Sequence, residues 1–415
     1  MRLLFTLPLL LATLHAAPPA TVDPSTLTGK VMCGYQGWFN CEGDGANLGW
    51  THWGRGHRNT PAPGNITIDL WPDLSEYGPD ERYPTGFKNP DGSPAEVFSS
   101  HNKPSVLRHF EWMRDYGIDG VFVQRFANGL GGGKTTDHKH AVLNHCREGA
   151  RLHGRTFAVM YDLSGIREGG TSIVRTDWND LRQKAHLTED ANYLHHEGKP
   201  VVAVWGIGFG DDRHYTLDKC RQLVEFLKAD GCTVLLGVPT GWREGTRDAT
   251  KDPALQKLIA AADIVSPWTV GRYNTPDDVK RHAKRDWSPD LAWCKERDLD
   301  YLPVLFPGFS WHNMHPDAKL GAIPRLKGQF LWSQFVAAKR AGCDMIYVAM
   351  FDEVDEGTAI FKCSNTPPVS DLNQFLTYEG LPSDFYLRLT GAAGKLLRNE
   401  IPVTDAVPKL GNDKR

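Results

Sequence analysis

The chain has 415 residues, of which 40% are hydrophobic and 23% are charged, and this ordinary globular mixture is well able to bury a core. The formal net charge is −3, so nothing in the charge balance favours a nucleic acid or an anionic membrane as a partner. Length alone suggests two or three domains, although barrels often hold a chain of this length in one.

Residues 1–17 have the pattern of a secretion leader. Arg2 supplies a positive charge, Leu3–Leu14 form an apolar core, and Leu14-His15-Ala16 or Ala16-Ala17 offers an imperfect small-residue cleavage site. The apolar core is too short to span a bilayer, and no later stretch reaches about 18 apolar residues. We therefore predict a signal peptide at 1–17 and an exported protein, periplasmic or extracellular, without a transmembrane segment.

The eight cysteines are compatible with disulfides in such a compartment. The sequence-local pairs are Cys33–Cys41 and Cys220–Cys232. Buried free thiols fit the sequence equally well.

After the leader, short apolar runs alternate with segments of helical spacing. The predicted strands are Lys30–Tyr35, Gly120–Gln124, Thr156–Asp162, Val201–Trp205, Thr233–Val238, Ile264–Trp268, Tyr301–Leu305 and Met345–Met350. The predicted helices are Pro104–Tyr116, Asp137–His153, Asp177–His196, Leu217–Ala229, Pro253–Ala262, Pro276–Arg297 and Lys327–Ala341, with a last helical region around Asp371–Arg398. An aromatic-rich excursion of about sixty residues separates the first strand from the first helix, and loops of that length are usually functional or disordered.

Eight nearly continuous apolar strands, each followed by a helix, are typical of parallel strands covered on both faces. We predict an α/β fold of the (β/α)₈ barrel type, a single domain over residues 18–398 with a C-terminal tail at 399–415. An open doubly wound sheet is the alternative. It would normally carry a glycine-rich phosphate turn after the first strand, and Tyr35-Gln36-Gly37-Trp38 is not one.

The eighth predicted strand runs directly into an acidic cluster. Asp352, Glu353, Asp355 and Glu356 follow Met345–Met350 and precede a glycine. Such a cluster taken alone is most often a solvated turn, and it could also be a calcium loop. Its position favours chemistry, because a barrel keeps its active site at the carboxyl ends of its strands.

The other strand ends carry aromatic and hydrogen-bonding side chains. Aromatic rings suit stacking on sugars, whereas amides and acids bind hydroxyl groups. Although any single one of these residues could be core packing, we predict as a set that they contact substrate: Tyr35, Gln36, Trp38, Trp53, Gln124, Arg125, Tyr161, Asp162, Trp205, Trp242, Trp268, Trp311, His312 and Asp352.

Glu353 and Glu356 are the predicted catalytic residues. A spacing of three places both side chains on one side of a turn, and paired carboxylates carry out glycoside hydrolysis, one of them protonated. Metal-dependent hydrolysis is the competing class, but the first strand does not end in His-x-His. No metal or cofactor is predicted, and no G-x-S-x-G supports a serine nucleophile.

The segment Phe351–Ile360 resembles the N-E-W-x-E-G-T-Q-I signature of glycoside hydrolase family 99 and its relatives in family 71. The stretch Pro307-Gly308-Phe309-Ser310 resembles their P-G-F-D segment, and Gly34–Phe39 looks like their aromatic first strand. The likeness spans about residues 28–395, but only these short motifs are specific.

This resemblance implies a retaining glycosidase that acts on a polysaccharide or glycan. In family 99 one glutamate deprotonates the 2-hydroxyl of the sugar, which attacks C1 to give a 1,2-anhydro sugar. The second glutamate protonates the leaving group and then activates water. By motif, Glu353 would be the base and Glu356 the acid/base, with Tyr35 supporting the cleft.

The chain departs from the motif at three positions, where Asp352 replaces Asn, Val354 replaces Trp and Ser310 replaces Asp. These changes put mannoside specificity in doubt more than glycosidase chemistry, and a pentose or deoxysugar substrate stays open. A barrel that binds glycans without cleaving them is the alternative function.

Overall fold

The computed structural model describes residues 21–167 and 169–410, so the predicted leader lies outside the described residues. The strands in chain order are β1 Val31–Tyr35, β2 Tyr83–Lys88, β3 Pro94–Val97, β4 Gly120–Phe126, β5 Thr156–Asp162, β6 His195–His196, β7 Lys199–Trp205, β8 Thr233–Val238, β9 Ile264–Pro267, β10 Asp300–Tyr301, β11 Val304–Leu305 and β12 Ile346–Val348. The helices are α1 Lys103–Tyr116, α2 Lys134–His153, α3 Thr171–Gln183, α4 Leu217–Ala229, α5 Ala254–Ile259, α6 Pro276–His282, α7 Ser288–Lys295, α8 Gln329–Ala341 and α9 Phe385–Leu397.

The central sheet is parallel and closes on itself, which confirms the predicted (β/α)₈ barrel. Its strands follow the order β10-β9-β8-β7-β5-β4-β1-β12-β11. The first and last strands of this order, β10 and β11, both lie in the short segment 300–305. β10 pairs with β9, and β11 pairs with β12. β10 and β11 are therefore two halves of one barrel strand, separated by Leu302 and Pro303.

Close packing fills the inside of the barrel. The Cβ of any larger residue at Gly34 in β1 would lie 2.1 Å from the Tyr347 hydroxyl and 2.0 Å from Met350. Only glycine fits there without a shift of these neighbours. The Tyr347 hydroxyl in turn accepts a hydrogen bond of 2.9 Å from the Gln124 side chain, so three barrel strands meet below the carboxyl-end opening.

The aromatic-rich excursion, residues 36–102, is a packed segment with little regular structure. Its only strands in the described chain are β2 and β3, which form an antiparallel hairpin. Trp53, Trp71, Tyr77 and Phe87 are each less than 5% exposed. Their burial explains why a stretch with so few helix or strand signals is nevertheless ordered.

Three predicted helices differ most from the structure. The helix predicted at Asp177–His196 is α3, which begins earlier and ends at Gln183, and β6 occupies its predicted end. The helix predicted at Pro276–Arg297 is α6 and α7 joined by a π-helical turn at Ala283–Trp287. The last helical region is helical only over α9, since residues 371–384 form a loop without a helix.

All eight cysteines lie in the described chain, and all are buried free thiols. The pairs Cys33–Cys41 and Cys220–Cys232 are thus not formed, and the alternative of buried thiols holds. Over the described residues, no helix combines the length and the apolar character that crossing a membrane requires.

Candidate active site

The acidic cluster forms a compact loop at the carboxyl end of β12. Its end folds back on its beginning, since Ile360 N–H donates to the Met350 carbonyl at 3.1 Å and Phe361 N–H to the Phe351 carbonyl at 3.0 Å. Within the loop, Ala359 N–H donates to the Glu353 carbonyl at 2.8 Å. We call residues 350–361 the acidic loop. Its backbone bonds fix where each carboxylate points.

Asp352 ties the acidic loop to the end of β1. Its two oxygens accept hydrogen bonds from the backbone N–H groups of Gln36, at 2.8 Å, and Gly37, at 2.9 Å. Its side chain is fully buried, and burial raises the pKa of the Asp352 carboxyl to about 7. Asp352 therefore positions the Gln36–Gly37 turn and does not contact the cleft.

Glu353 receives two hydrogen bonds from its surroundings. Gln36 Nε2 donates to its Oε1 at 2.7 Å, and Thr358 Oγ1 donates to its Oε2 at 2.6 Å. Burial raises the pKa of the Glu353 carboxyl well above its ordinary value, and Glu356 and then Asp355 raise it further. The two donors act in the opposite direction because they stabilise the carboxylate form.

Glu356 is partly exposed at the opening of the barrel. Its backbone carbonyl accepts from Ser310 N–H at 2.9 Å, whereas its carboxyl has no hydrogen bond to any described residue. Burial, and next the charge of Asp355, raise the pKa of the Glu356 carboxyl to about 7. Two hydrogen-bond donors thus stabilise the charged form of Glu353, whereas no described residue does so for the Glu356 carboxyl.

Both glutamates face a cleft of about 220 Å³ at the carboxyl ends of the strands. Aromatic rings form much of its wall, and Trp205 and Trp268 meet edge to face with their ring centroids 5.4 Å apart. The lining residues are Gln36, Trp38, Gln124, Phe126, Asp162, Ser164, Trp205, Trp268, Met350, Glu353 and Glu356.

A second, more open hollow of about 620 Å³ lies on the other side of Glu356. It shares Trp268 and Glu356 with the first, and Phe309 and Trp311 form an aromatic wall. Trp311 is 37% exposed, and its ring packs at a tilt against the His315 ring, with the centroids 4.4 Å apart. Glu356 thus lies between the smaller cleft and a larger, more open groove.

The structure brings eight of the predicted site residues together in the cleft: Gln36, Trp38, Gln124, Asp162, Trp205, Trp268, Glu353 and Glu356. Trp311 lines the second hollow. His312 holds the loop that carries Trp311, with its Nδ1 2.7 Å from the Ala318 carbonyl.

Five further predicted contacts, besides Asp352, are corrected because their side chains are buried away from the cleft: Tyr35, Trp53, Arg125, Tyr161 and Trp242. Where the polar groups of these side chains form hydrogen bonds, their partners lie in the outer helices and not in the cleft. The Tyr35 hydroxyl, for example, lies 2.8 Å from His109 Nδ1 of α1.

Arg125 and Tyr161, which pair in the neighbouring strands β4 and β5, also turn their side chains away from the cleft. Both bond to Asp177 of α3, Arg125 through Nε at 2.9 Å and Tyr161 through its hydroxyl at 2.7 Å. The indole N–H of Trp242 likewise donates to Asp290 of α7 at 3.2 Å. These residues join strands to the outer helices.

Four residues of the site are absent from the predicted set. Phe126, Ser164 and Met350 line the cleft, and Thr358 bonds to Glu353. Phe126 follows Gln124 by two positions and could have been found from strand alternation. The others lie in loops, whose direction the sequence pattern does not give.

Among the described residues, one group of His, Cys, Asp and Glu side chains is close enough to share a cation, formed by His196, Glu197 and Asp300. It lies at the amino ends of β7 and β10, opposite the cleft. Both ring nitrogens of His196 are engaged, Nδ1 by Leu27 N–H at 3.1 Å and Nε2 by Asp300 at 2.7 Å. This group is therefore a structural contact between strand starts.

No protein-family model matches the chain. A Danio rerio protein described as glycoprotein endo-alpha-1,2-mannosidase-like is 27% identical over 108 residues, which make up 26% of this chain. The chain spans about a quarter, 24%, of the length of that curated relative.

Two solved structures share the fold. The family 99 endo-alpha-mannosidase from Bacteroides thetaiotaomicron matches with a TM-score of 0.64 and 16% identity, over 90% of this chain and 99% of that one. A structure described as a glycoside hydrolase-like protein matches with a TM-score of 0.54 and 14% identity, over 91% and 97%. These matches confirm the barrel and, at the level of the fold, the resemblance to family 99.

Proposed function

We propose that this chain is an exported glycoside hydrolase that cleaves a polysaccharide or glycan. The observation that carries the proposal is the meeting of Glu353 and Glu356 at one aromatic-walled cleft. Burial raises the pKa of both carboxyl groups, so one of them can hold a proton near neutral pH while the other acts as the base. The fold shared with the family 99 enzyme supports this reaction class.

In this proposal Glu353 is the base and Glu356 is the acid. Glu353 is held in one orientation by Gln36 and Thr358, as a group that removes a proton from a fixed sugar hydroxyl must be. Glu356 projects toward the exit of the cleft, where the leaving group departs. The retaining reaction through a 1,2-anhydro sugar, which the family 99 resemblance implies, assigns the same roles.

In this proposal, the two hollows on either side of Glu356 bind different parts of the substrate. The smaller cleft, with Trp205, Trp268 and Asp162, holds the sugar whose bond is cleaved. The open groove with Trp311 holds the leaving group. Because the groove is open, the leaving group can be a further stretch of a glycan chain.

The test is product release by the purified mature chain from a panel of polysaccharides. The panel contains α-mannans, α-1,3-glucan, xylans, arabinans and fucose-rich polysaccharides. We expect release from one polymer and a loss of about 10²–10⁴-fold in Glu356→Gln, as is typical when a general acid is removed.

Glu296→Gln is the matched control, because it removes the same charge from a side chain that is 72% exposed. It should keep full activity. Unchanged release by Glu356→Gln would contradict the assigned role. Tight binding to one polymer without any product would instead indicate the glycan-binding barrel.

A further inference from the structure

A histidine from the excursion reaches the acidic loop. Nδ1 of His52 lies 2.8 Å from Oδ2 of Asp355, the residue directly before Glu356. Because a carboxylate only accepts, the proton of this hydrogen bond belongs to the imidazole. We call this contact the His52–Asp355 pair.

Asp355 depends on this one donor. Its side chain is 2% exposed, and its other oxygen, Oδ1, is buried with no hydrogen-bond partner among the described residues. A buried carboxylate with a single donor is poorly stabilised, so the imidazole N–H largely determines how strongly its charge acts on its neighbours.

The His52 ring also packs flat against a side chain of the cleft wall. The ring stacks on the indole of Trp38 with centroids 3.9 Å apart and planes 5° from parallel. Trp38 lines the cleft beside both glutamates. One imidazole therefore contacts an aromatic wall and the carboxylate next to Glu356.

The position of His52 is itself fixed by the excursion. The residue adopts a left-handed backbone with φ of 64°, and its carbonyl accepts from Thr67 Oγ1 at 2.6 Å. A non-glycine residue in this conformation is uncommon and marks a constrained site.

Other charged groups also face Glu356. Glu353 and Asp355 lie on its own loop, Asp162 lies across the cleft, and Arg272 and Asp278 share the second hollow with it. Behind the loop, Arg325 donates to the carbonyls of Gly357 at 2.8 Å and Ala359 at 2.7 Å. Of these groups, Asp355 is the carboxylate whose charge raises the pKa of Glu356.

We propose that His52 is a positioning residue for the acid Glu356, since its N–H holds the Asp355 carboxylate and its ring holds the Trp38 wall. This inference rests on the proposed function, because it gives Glu356 the role of acid. The imidazole moderates the negative charge of Asp355, and Asp355 promotes proton retention on Glu356. His52 and Asp355 therefore act on Glu356 in opposite directions.

Substitutions can separate the two contacts of His52. His52→Phe keeps a ring against Trp38 and removes the hydrogen bond, so the charge of Asp355 is less moderated. We expect the pKa of Glu356 to rise by about 0.5–1 unit. Asp355→Asn removes the charge and should lower the pKa of Glu356 by a similar amount. The double variant should match Asp355→Asn, because without the carboxylate the imidazole has nothing to moderate.

The experiment is a ¹³C-carboxyl NMR titration of the full chain labelled at glutamate, with the Glu356 signal assigned by its loss in Glu356→Gln. The control is His315→Gln, which removes an imidazole that packs against Trp311 in the second hollow. It should leave the titration of Glu356 unchanged. Thermal unfolding of each variant checks that it is folded.

Opposite shifts in His52→Phe and Asp355→Asn would support the proposal. No shift in His52→Phe would overturn it, and so would a downward shift. The titration needs no substrate. Its failure is thus distinguishable from failure of the proposed function, which would appear as unchanged turnover by Glu356→Gln.

Discussion

At the scale of single residues, the Glu356 carboxyl is held where its charged form is disfavoured. Its pKa is raised from 4.5 to about 7 in the folded chain. Well below pH 4.5 the group is protonated in both folded and unfolded states, and its effect on stability is absent. As the pH rises, the unfolded chain ionises first, so the free energy of unfolding falls until the pH passes the folded value.

Glu356→Gln has no proton to lose and should escape this penalty. We expect equal stability of variant and wild type at pH 4, and a variant more stable by about 1–3 kcal/mol at pH 8. Urea unfolding at the two pH values measures the difference. Glu296→Gln should show no such pH dependence, and a Glu356→Gln chain less stable than wild type at pH 8 would contradict the argument.

Asp352 gives a second prediction at this scale. Both of its oxygens accept from backbone N–H groups, and an asparagine could satisfy only one of the two. We expect Asp352→Asn to lower the free energy of unfolding by about 1–3 kcal/mol, measured by denaturant unfolding. Gln36 would also be less well held against Glu353.

The control for this substitution is Asp91→Asn. Asp91 accepts from Ser93 in an exposed turn, at 2.9 Å to the backbone N–H. The change there should stay within about 0.5 kcal/mol. If both substitutions had the same small effect, Asp352 would not be the group that positions the turn after β1.

At the scale of elements, the strands explain which of the predicted site residues line the cleft and which do not. In β4, Gln124 points into the barrel and Arg125 points to the outer helices. In β5, Asp162 lines the cleft and Tyr161 bonds to α3. Neighbouring residues of a strand face opposite sides. At each strand end, one side chain therefore faces the cleft and the next faces the outer helices.

The sequence could not show which residue faces inward. Both faces of a barrel strand are covered, so the runs are apolar throughout and alternation is hidden. The eight strands themselves were predictable because their apolar runs are short and bounded. The place of the acidic cluster at the carboxyl end of the sheet was predictable because an apolar run leads straight into it.

The contacts of the excursion were not predictable. His52 and Asp69 reach residues some 240 to 300 positions away, Asp69 to Asn313 and His52 to Asp355. No local pattern encodes such a pairing, which follows only from closure of the barrel. The contacts that these loops make therefore cannot be predicted from the sequence pattern.

Asp69 makes the importance of these contacts testable. It is fully buried and accepts from the N–H groups of His312, at 2.6 Å, and Asn313, at 2.8 Å, as well as from the Ser310 hydroxyl. Asp69→Asn would set an amide N–H against these donors. We expect a loss of about 2–4 kcal/mol and faster hydrogen exchange at the His312 and Asn313 amides.

Exchange at the Ile346 amide of β12 serves as the internal reference and should change only through the global loss of stability. Asp73→Asn is the matched variant, since Asp73 accepts from Ser75 N–H at 3.0 Å in an exposed turn. Equal exchange rates at His312 in Asp69→Asn and wild type would show that the second hollow keeps its shape without this carboxylate.

At the scale of the whole molecule, stability comes from the packed barrel and not from covalent cross-links. All eight cysteines are buried thiols, and burial raises the pKa of each, to about 12 for Cys220, Cys232, Cys294 and Cys363. The burial of Cys33, Cys41, Cys146 and Cys343 likewise raises the pKa of each of those thiols. A buried thiol with a raised pKa reacts slowly, because the thiolate is the reactive form.

We therefore expect a chain prepared without reductant to show little reaction with a thiol-specific dye at pH 8 while folded. After unfolding in guanidinium chloride it should react with eight equivalents, one for each cysteine. Dithiothreitol should leave the unfolding temperature unchanged, because no cross-link limits the unfolded chain. If the unfolded chain gave only six equivalents and the reductant lowered the unfolding temperature, a disulfide would be present. The barrel would then be cross-linked after all.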